Sequence, residues 1–192
     1  MAKGKSVSIA ELERALSSDD SAVRYNTIFD FAKGPVTTDA IPTLRRALAD
    51  SEPGVVRYAA ESLGKLGPAA TTVKPGEPEP GVPMVIWELM TAAQQIDPDT
   101  LAPQSYMHCL NALVAIGAND WAVELIHNCI GISNWHPLKA SLEALATIGT
   151  PEALDLLKRA AAFWMPELDK KQKQIVERLL PSKGGKKSAA KS

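Results

Sequence analysis

The feature that most constrains the fold is a motif that occurs twice, at a spacing of 33 residues. Residues 23–34 read VRYNTIFDFAKG, and residues 56–67 read VRYAAESLGKLG. Two further glycines, Gly117 and Gly149, close similar stretches at spacings of 50 and 32. A glycine just past a helix end lets the chain turn in a left-handed conformation without a Cβ clash. The spacing therefore predicts a chain built from repeated helices.

Apolar residues precede each of the last three glycines at matching steps. The three sets are Ala60, Leu63 and Leu66; Leu110, Leu113 and Ile116; and Leu142, Leu145 and Ile148. An i, i+3, i+6 spacing places the side chains of each set on one helix face. No stretch alternates in the way that a half-buried strand does. The pattern predicts an all-α chain in which each helix shows an apolar stripe to a neighbour.

Helix-start signals mark the intervening helices. Ser8 and Glu11 form a capping-box pattern, and Thr150-Pro151-Glu152 places a cap, a proline and an acid at a helix start. The predicted helices are 8–17, 20–33, 38–49, 53–66, 84–96, 101–116, 119–130, 135–148, 151–163 and 169–180. Repeats of this length made of helix pairs are typical of an α-solenoid, here with about five antiparallel pairs.

The chain divides by composition into five segments. They are a flexible N-terminus at 1–5, helix pairs 1 and 2 at 6–67, a Pro/Gly-rich inserted loop at 68–83, helix pairs 3 to 5 at 84–181, and a basic disordered tail at 182–192. Prolines at this density cannot continue a helix and favour an extended loop. The loop is either a neutral insertion on a tolerant edge or an arm that contacts a partner.

One stretch carries a specific family resemblance. Residues 37–67 have Ile41-Pro42, Leu44, Leu48 and Asp50 in and after a first helix, and then Val56-Arg57, Ala59-Ala60 and Leu63-Gly64 in a second. This segment resembles a HEAT repeat of the short bacterial type that also occurs in phycobilisome lyases. The resemblance implies a HEAT/armadillo-like superhelix. It also implies a structural ladder of Asp20, Arg24, Asp50 and Arg57 between repeats.

Charge is segregated along the chain although the formal net charge is only −1. Residues 75–155 carry one Lys or Arg against ten Asp or Glu, and residues 156–192 carry ten against three. Without the six lysines near the termini, 15 cationic side chains face 22 anionic ones, so the body is about −7. Such a body repels a phosphate backbone, and we expect no nucleic-acid partner.

Few features of the sequence indicate a cellular compartment, but they agree with one another. No stretch approaches the roughly 20 apolar residues that span a bilayer. The two cysteines, Cys109 and Cys129, are too few for a disulfide framework and suit a reducing compartment. We therefore expect a cytoplasmic protein without membrane insertion.

Motifs that serve common catalytic chemistry are absent from the sequence. There is no GxxxxGK[ST], GxGxxG, HExxH, CxxC or GxSxG pattern. We therefore expect no enzyme, no cofactor and no metal. The best scattered set is His108, Cys109, His127 and Cys129, where a packed cysteine and a zinc or thiol site are the alternatives. Four tryptophans, Trp87, Trp121, Trp135 and Trp164, are expected to seal contacts between repeats, with a binding role as the alternative.

The second helices of HEAT-like pairs are expected to line a concave surface. With the apolar stripe turned inward, two outward columns remain: Tyr25, Tyr58, His108 and Ala140, and beside them Ile28, Glu61, Asn111 and Glu143. From these we predict a partner-binding face of Tyr25, Tyr58, Glu61, His108, Asn111 and Glu143. The alternative is that the two tyrosines only cover the Asp/Arg ladder.

Three functions follow from these observations. The leading hypothesis is a non-catalytic protein-protein interaction module, such as an adaptor, assembly factor or inhibitor. The alternative implied by the resemblance is a bilin lyase or isomerase built on HEAT repeats. A third, with less support, is nucleic-acid binding like that of the HEAT-like alkylpurine DNA glycosylases, which use a basic groove. A small-molecule ligand is a further alternative.

Overall fold

The computed structural model describes residues 7–71, 83–95, 105–129, 131 and 134–181. Within these ranges the chain forms ten α-helices and no strand, which confirms the all-α prediction. The helices are α1 (Ile9–Ala15), α2 (Ser21–Ala32), α3 (Ile41–Ala47), α4 (Pro53–Leu66), α5 (Met84–Ala93), α6 (Tyr106–Ile116), α7 (Asn119–Cys129), α8 (Trp135–Ile148), α9 (Pro151–Trp164) and α10 (Lys170–Leu179). The predicted segments 1–5 and 182–192 lie outside the described residues.

Side-chain caps start the helices where the sequence places them. Ser8 and Glu11 form a reciprocal capping box at α1. At α9 the Thr150 hydroxyl accepts a hydrogen bond from the Ala153 amide. Asp169 and Gln172 form a second capping box at α10. Each cap satisfies backbone donors that would otherwise have no partner within the helix.

Glycine ends some of the helices, but not all of them. Gly117 and Gly149 adopt φ of 89° and 68° in the left-handed region, as expected for glycines just past a helix end. Gly34 is not among the positive-φ glycines, and α2 ends at Ala32 with Lys33 still in the right-handed region. There the Lys65 ammonium donates to the Ala32 carbonyl, so a side chain of α4 satisfies an unpaired helix-end acceptor.

The described residues up to Asn128 form one compact unit, and those from Cys129 onward form a second. In the first unit α2, α4 and α6 pack side by side in chain order, and α1, α3 and α5 pack against them as a second layer. We call these the even layer (α2, α4, α6) and the odd layer (α1, α3, α5). The predicted pairing of consecutive helices is therefore present in this unit, with one member of each pair in each layer.

The predicted apolar stripe forms the core between these layers. Ala60, Leu63, Leu110 and Leu113 are fully buried on α4 and α6. Removing a leucine side chain from water contributes about 1.5–3 kcal/mol, so this stripe is a main source of stability. Leu66, which the pattern also turned inward, is only half-buried at the end of α4.

In the second unit α8 packs against α9 and against α10. Leu142 and Leu145 of α8 and Leu157 of α9 are fully buried there. Only Val176 of α10 is buried, so this helix is a polar terminal element.

The first residues of the predicted loop form a short helical turn. Residues Gly67–Thr71 form a 3₁₀ helix, and Ala70 within it is buried. The prediction of extended chain from residue 68 is therefore wrong at its first four positions, because this short turn packs against α4, α5 and α6. Residues 72–82, which hold most of the predicted loop, lie outside the described residues. The predicted segment boundaries stay predictions.

Candidate functional site

Three aromatic rings meet on the even layer of the first unit. Tyr25 and Phe29 lie one turn apart on α2 with their rings nearly parallel and their centroids 6.1 Å apart. The Tyr58 ring, from α4, meets Tyr25 at 5.8 Å in an edge-on contact and Phe29 at 5.2 Å in a tilted one. All three side chains are half-buried. We call Tyr25, Phe29 and Tyr58 the aromatic patch.

A glycine fixes the position of the Tyr25 ring. A Cβ added at Gly54 of α4 would lie 2.5 Å from two carbons of that ring, well inside van der Waals contact. The ring therefore lies directly on the α4 backbone at a point where no side chain can stand. This contact explains why a glycine is tolerated in the first turn of α4, where it costs helix propensity.

Two cations border the aromatic patch. The Lys33 ammonium lies 3.6 Å from the centroid of the Phe29 ring and 2.8 Å from an Asp30 carboxylate oxygen. The Arg57 guanidinium carbon lies 5.1 Å from the centroid of the Tyr58 ring. Cations over aromatic faces are attracted by the ring quadrupole and limit the freedom of both groups. The patch is thus an apolar centre with a charged rim.

One carboxylate links α4 to α6 at the edge of the patch. The Glu61 Oε1 atom accepts from Arg57 Nε at 3.1 Å and lies 3.2 Å from His108 Nδ1. The hydrogen bond to Glu61 raises the pKa of Arg57. Burial, followed by the Arg57 charge, lowers the pKa of His108, although Glu61 acts in the opposite direction.

These contacts set the protonation of the polar groups. A neutral His108 donates its Nδ1–H to Glu61, which leaves Nε2 as an acceptor. Burial and a hydrogen bond with Tyr25 raise the pKa of Tyr58, so its phenol stays protonated at neutral pH. The surface therefore presents neutral hydrogen-bonding groups beside aromatic rings.

The structure brings together four of the six residues predicted for the binding face: Tyr25, Tyr58, Glu61 and His108. Asn111 is exposed on α6, one turn beyond His108. Glu143 belongs to the second unit, where it pairs with Lys139 at 3.4 Å.

The predicted second column contained one error, and the prediction omitted one residue. Ile28 is fully buried in the core rather than outward. Phe29, one position later, belongs to the patch instead. The i, i+4 spacing of Phe29 from Tyr25 is the sequence signal that identifies it.

The Asp/Arg ladder forms at one of its expected contacts. Arg24 donates to both carboxylate oxygens of Asp50, with Nε 2.8 Å from Oδ2. Asp20 instead caps α2 by accepting from the Ala22 amide. Arg57 pairs with Glu61 on its own helix rather than with the next repeat. Tyr25 stacks on Phe29 and lies on Gly54, and Tyr58 contacts both rings, so the two tyrosines do more than cover the ladder.

Comparison with known families agrees with this geometry. The family model for HEAT repeats matches residues 9–74, and the family model for the PBS lyase HEAT-like repeat matches residues 138–165. The chain is a HEAT-repeat protein. The first match covers α1 to α4, which hold the aromatic patch, and the second covers α8 and α9.

A solved structure supports the fold class of this HEAT-repeat protein. The crystal structure of an engineered protein, a Northeast Structural Genomics Consortium target, aligns with a TM-score of 0.55 and 18% sequence identity. The alignment covers 90% of this chain and 77% of that chain. At this identity the likeness concerns the fold alone, and it confirms the predicted α-solenoid class. None of the curated proteins matches the chain.

The Cys/His set of this HEAT-repeat protein shows packing rather than convergence. Cys109 is fully buried, and burial raises its pKa to about 12. Cys129 is half-buried, and burial raises its pKa as well, while His127 is exposed. In the parts of the chain that the structure describes, no three His, Cys, Asp or Glu side chains are grouped to hold a metal ion.

None of the helices formed by the described residues combines the length and apolar character needed to cross a bilayer.

The expectation that all four tryptophans seal the core is wrong for Trp87, which is 59% exposed. On α5 the core face is occupied by Val85, Ile86, Leu89 and Met90, so Trp87 points away from it.

Proposed function

We propose that this HEAT-repeat protein is a non-catalytic interaction module that holds a protein partner on the even layer. HEAT repeats commonly serve as protein-interaction scaffolds, which supports a binding role. The observation that carries the proposal is the aromatic patch itself, three half-exposed rings held in contact by Gly54 and a charged rim. Aromatic side chains of this kind dominate the energy of protein interfaces.

The physical argument rests on rigidity. Tyrosine has few rotatable bonds, and here its ring is further restrained by stacking on neighbours. A partner that covers the patch therefore loses little side-chain entropy on the side of this protein. The Arg57–Glu61–His108 chain at the edge adds hydrogen-bonding groups that orient a partner over the apolar centre.

The test is purification from the native host under mild conditions, followed by mass spectrometry. We expect a stoichiometric protein that is retained by the wild type and by Lys158→Ala, which alters an exposed lysine of the second unit. Calorimetric titration with that isolated protein should show a loss of at least about fivefold in affinity for Tyr58→Ala and for Glu61→Lys. Equal affinity for all four proteins contradicts the proposal.

A second candidate is favoured by one comparison. The match of residues 138–165 to the PBS lyase HEAT-like repeat supports a bilin lyase or isomerase. The same purification distinguishes it after co-expression with bilin synthesis. Visible absorbance that stays with the protein, in the absence of a stoichiometric protein partner, would favour the lyase. A colourless preparation would remove that candidate.

A further inference from the structure

A groove lies on the odd layer of the first unit, in the layer opposite the one that carries the aromatic patch. It has a volume of about 510 Å³ and runs between α3 and α5. One wall is formed by Pro42 of α3 with Leu48 and Ala49, which follow that helix, and the other by Trp87 and Ala92 of α5. A volume of this size accommodates several side chains of a bound segment.

The apolar part of the groove is unusually exposed. Trp87 in the lining is 59% exposed, and Met84, outside the lining and one turn earlier on α5, is 45% exposed. Neither is needed for the core, which α5 fills with its opposite face. Tryptophan is among the residues most enriched at the energetic centres of interfaces, since covering its ring removes a large apolar area from water.

The charged part of the groove is asymmetric. Arg45 and Glu88 form a two-point ion pair across the groove, with nitrogen–oxygen distances of 2.8 and 3.0 Å. These two charges satisfy each other. Arg46 is exposed, and it donates a hydrogen bond of 3.3 Å to the backbone carbonyl of Glu13. No carboxylate of the described residues pairs with Arg46, so the lining carries one excess positive charge.

We infer that this groove is a second docking surface, and that its occupant is an acidic protein segment. That segment places an apolar side chain against Trp87 and a carboxylate on the Arg46 guanidinium. Charge complementarity selects this occupant, because a basic segment would bring like charges together at Arg46. A carboxylate also matches the planar, multi-donor geometry of a guanidinium.

A nucleic acid is a poorer occupant than an acidic segment. One unpaired arginine neutralises a single phosphate, whereas nucleic-acid affinity is built from many such contacts. The body of the chain, at about −7, repels a long polyanion, whereas a segment with a single carboxylate at this point brings only one negative charge, and that charge meets Arg46. The groove is independent of the aromatic patch, so this inference does not rest on the proposed function.

A random peptide library displayed on phage tests the inference. The wild type is panned in parallel with Trp87→Ala, Arg46→Glu, Tyr58→Ala and the charge control Lys158→Glu. Trp87, Arg46 and Lys158 are exposed, and circular dichroism checks that each variant keeps its helices. Enriched peptides are then synthesised, and their affinities are measured by fluorescence anisotropy.

We expect peptides that combine Asp or Glu with a nearby large apolar residue. Their affinity should fall at least about fivefold in Trp87→Ala and Arg46→Glu and stay unchanged in Tyr58→Ala and Lys158→Glu. Panning on Arg46→Glu should enrich Lys or Arg in place of the acid. Peptides that lose affinity in Trp87→Ala but carry no acidic residue would overturn the inference, and so would an enriched set in which no peptide loses affinity in Trp87→Ala. So would a wild-type dimer that becomes a monomer in Trp87→Ala, because a second copy would then occupy the groove.

Discussion

Arg24 and Asp50 lie 26 residues apart in the sequence, yet they form a two-point ion pair that joins consecutive helix pairs. The Arg24 guanidinium also donates to the carbonyls of Ser18 and Asp19, at 2.9 and 3.2 Å. Asp50 in turn accepts from the Glu52 amide at 2.8 Å. One pair of side chains thus fixes the turn before α2 and the turn before α4.

Asp50→Ala should destabilise the fold more than the loss of an exposed ion pair does. It leaves the largely enclosed Arg24 without its carboxylate and removes the acceptor of the Glu52 amide. Asp155→Ala is the matched control, because Asp155 and Arg159 form an exposed i, i+4 pair. Such pairs contribute only about 0.3–0.5 kcal/mol. We expect Asp50→Ala to lower the free energy of unfolding in urea several times more than Asp155→Ala.

Gly54→Ala should disturb the aromatic patch while leaving stability nearly unchanged. The new methyl group would overlap the Tyr25 ring, so the ring must leave its place on α4. The higher helix propensity of alanine, up to about 1 kcal/mol, offsets the lost ring contact. Changed Tyr25 ring resonances in NMR spectra, with an unchanged urea midpoint, are the expected result.

Two variants control the Gly54 prediction. Gly131→Ala changes an exposed glycine with nothing within 4 Å of its added Cβ, and the Tyr25 resonances should not change. Tyr25→Ala removes the ring altogether, so adding Gly54→Ala to it should have no further effect on partner binding. A ring that keeps its wild-type resonances in Gly54→Ala would contradict the contact described for Tyr25.

His108 should make folding depend on pH below neutrality. Its folded pKa lies below the ordinary value of 6.5, because of burial and the Arg57 charge. As the pH falls through 6.5, the unfolded chain binds a proton before the folded chain does. The stability contributed by neutral His108 is therefore complete above pH 6.5 and is lost between 6.5 and the lower folded pKa. Urea unfolding at pH 7 and pH 5 should show this loss in the wild type and a smaller one in His108→Gln.

NMR titration separates the causes of the His108 shift. Glu61→Gln should lower the pKa of His108 further, whereas Arg57→Ala should raise it. His127 and His136 are exposed and serve as internal references in the same spectra. A His108 pKa that does not respond to either variant would show that the Glu61 contact is absent in solution.

Cys109 should be protected from alkylation in the native protein. It has no exposed surface, and its pKa of about 12 keeps it in the unreactive thiol form. We expect iodoacetamide to label it at least about a thousandfold more slowly in buffer than in urea, because reaction requires unfolding. Mass spectrometry of the Cys129→Ser variant measures the rate at Cys109 alone. Fast native labelling would show that α6 opens locally.

Helix positions were predictable because their signals are local. Ser8, Thr150 and Asp169 cap helices through contacts within three residues, and such contacts depend little on the rest of the fold. The 3₁₀ turn at Gly67–Thr71 was missed because it packs not only against the adjacent α4 but also against α5 and α6, which lie further along the sequence. Composition alone favoured extended chain there.

The candidate site was predicted only in part. Reading the repeat register placed Tyr25 and Tyr58 side by side, since equivalent positions of stacked repeats become neighbours. The same register misplaced Ile28 and omitted Phe29, which differ by one residue and therefore by about 100° around α2. Trp87 was misjudged because its size favours burial, whereas α5 already fills the core with smaller apolar residues.

The place of Gly54 under the Tyr25 ring means that the repeat seen in the sequence is not the unit that folds. Tyr25 and Arg24 lie in the first copy of the motif, whereas their partners Gly54 and Asp50 lie in the 37–67 segment, ahead of the second copy. Cleavage of the chain within residues 33–38, between the two copies of the motif, would separate the two residues of each contacting pair. Amide hydrogen exchange should accordingly show that α2 and α4 are protected to the same degree, as one cooperative unit. A single copy of the motif, transplanted or duplicated, would supply only one of the two residues that each contact needs.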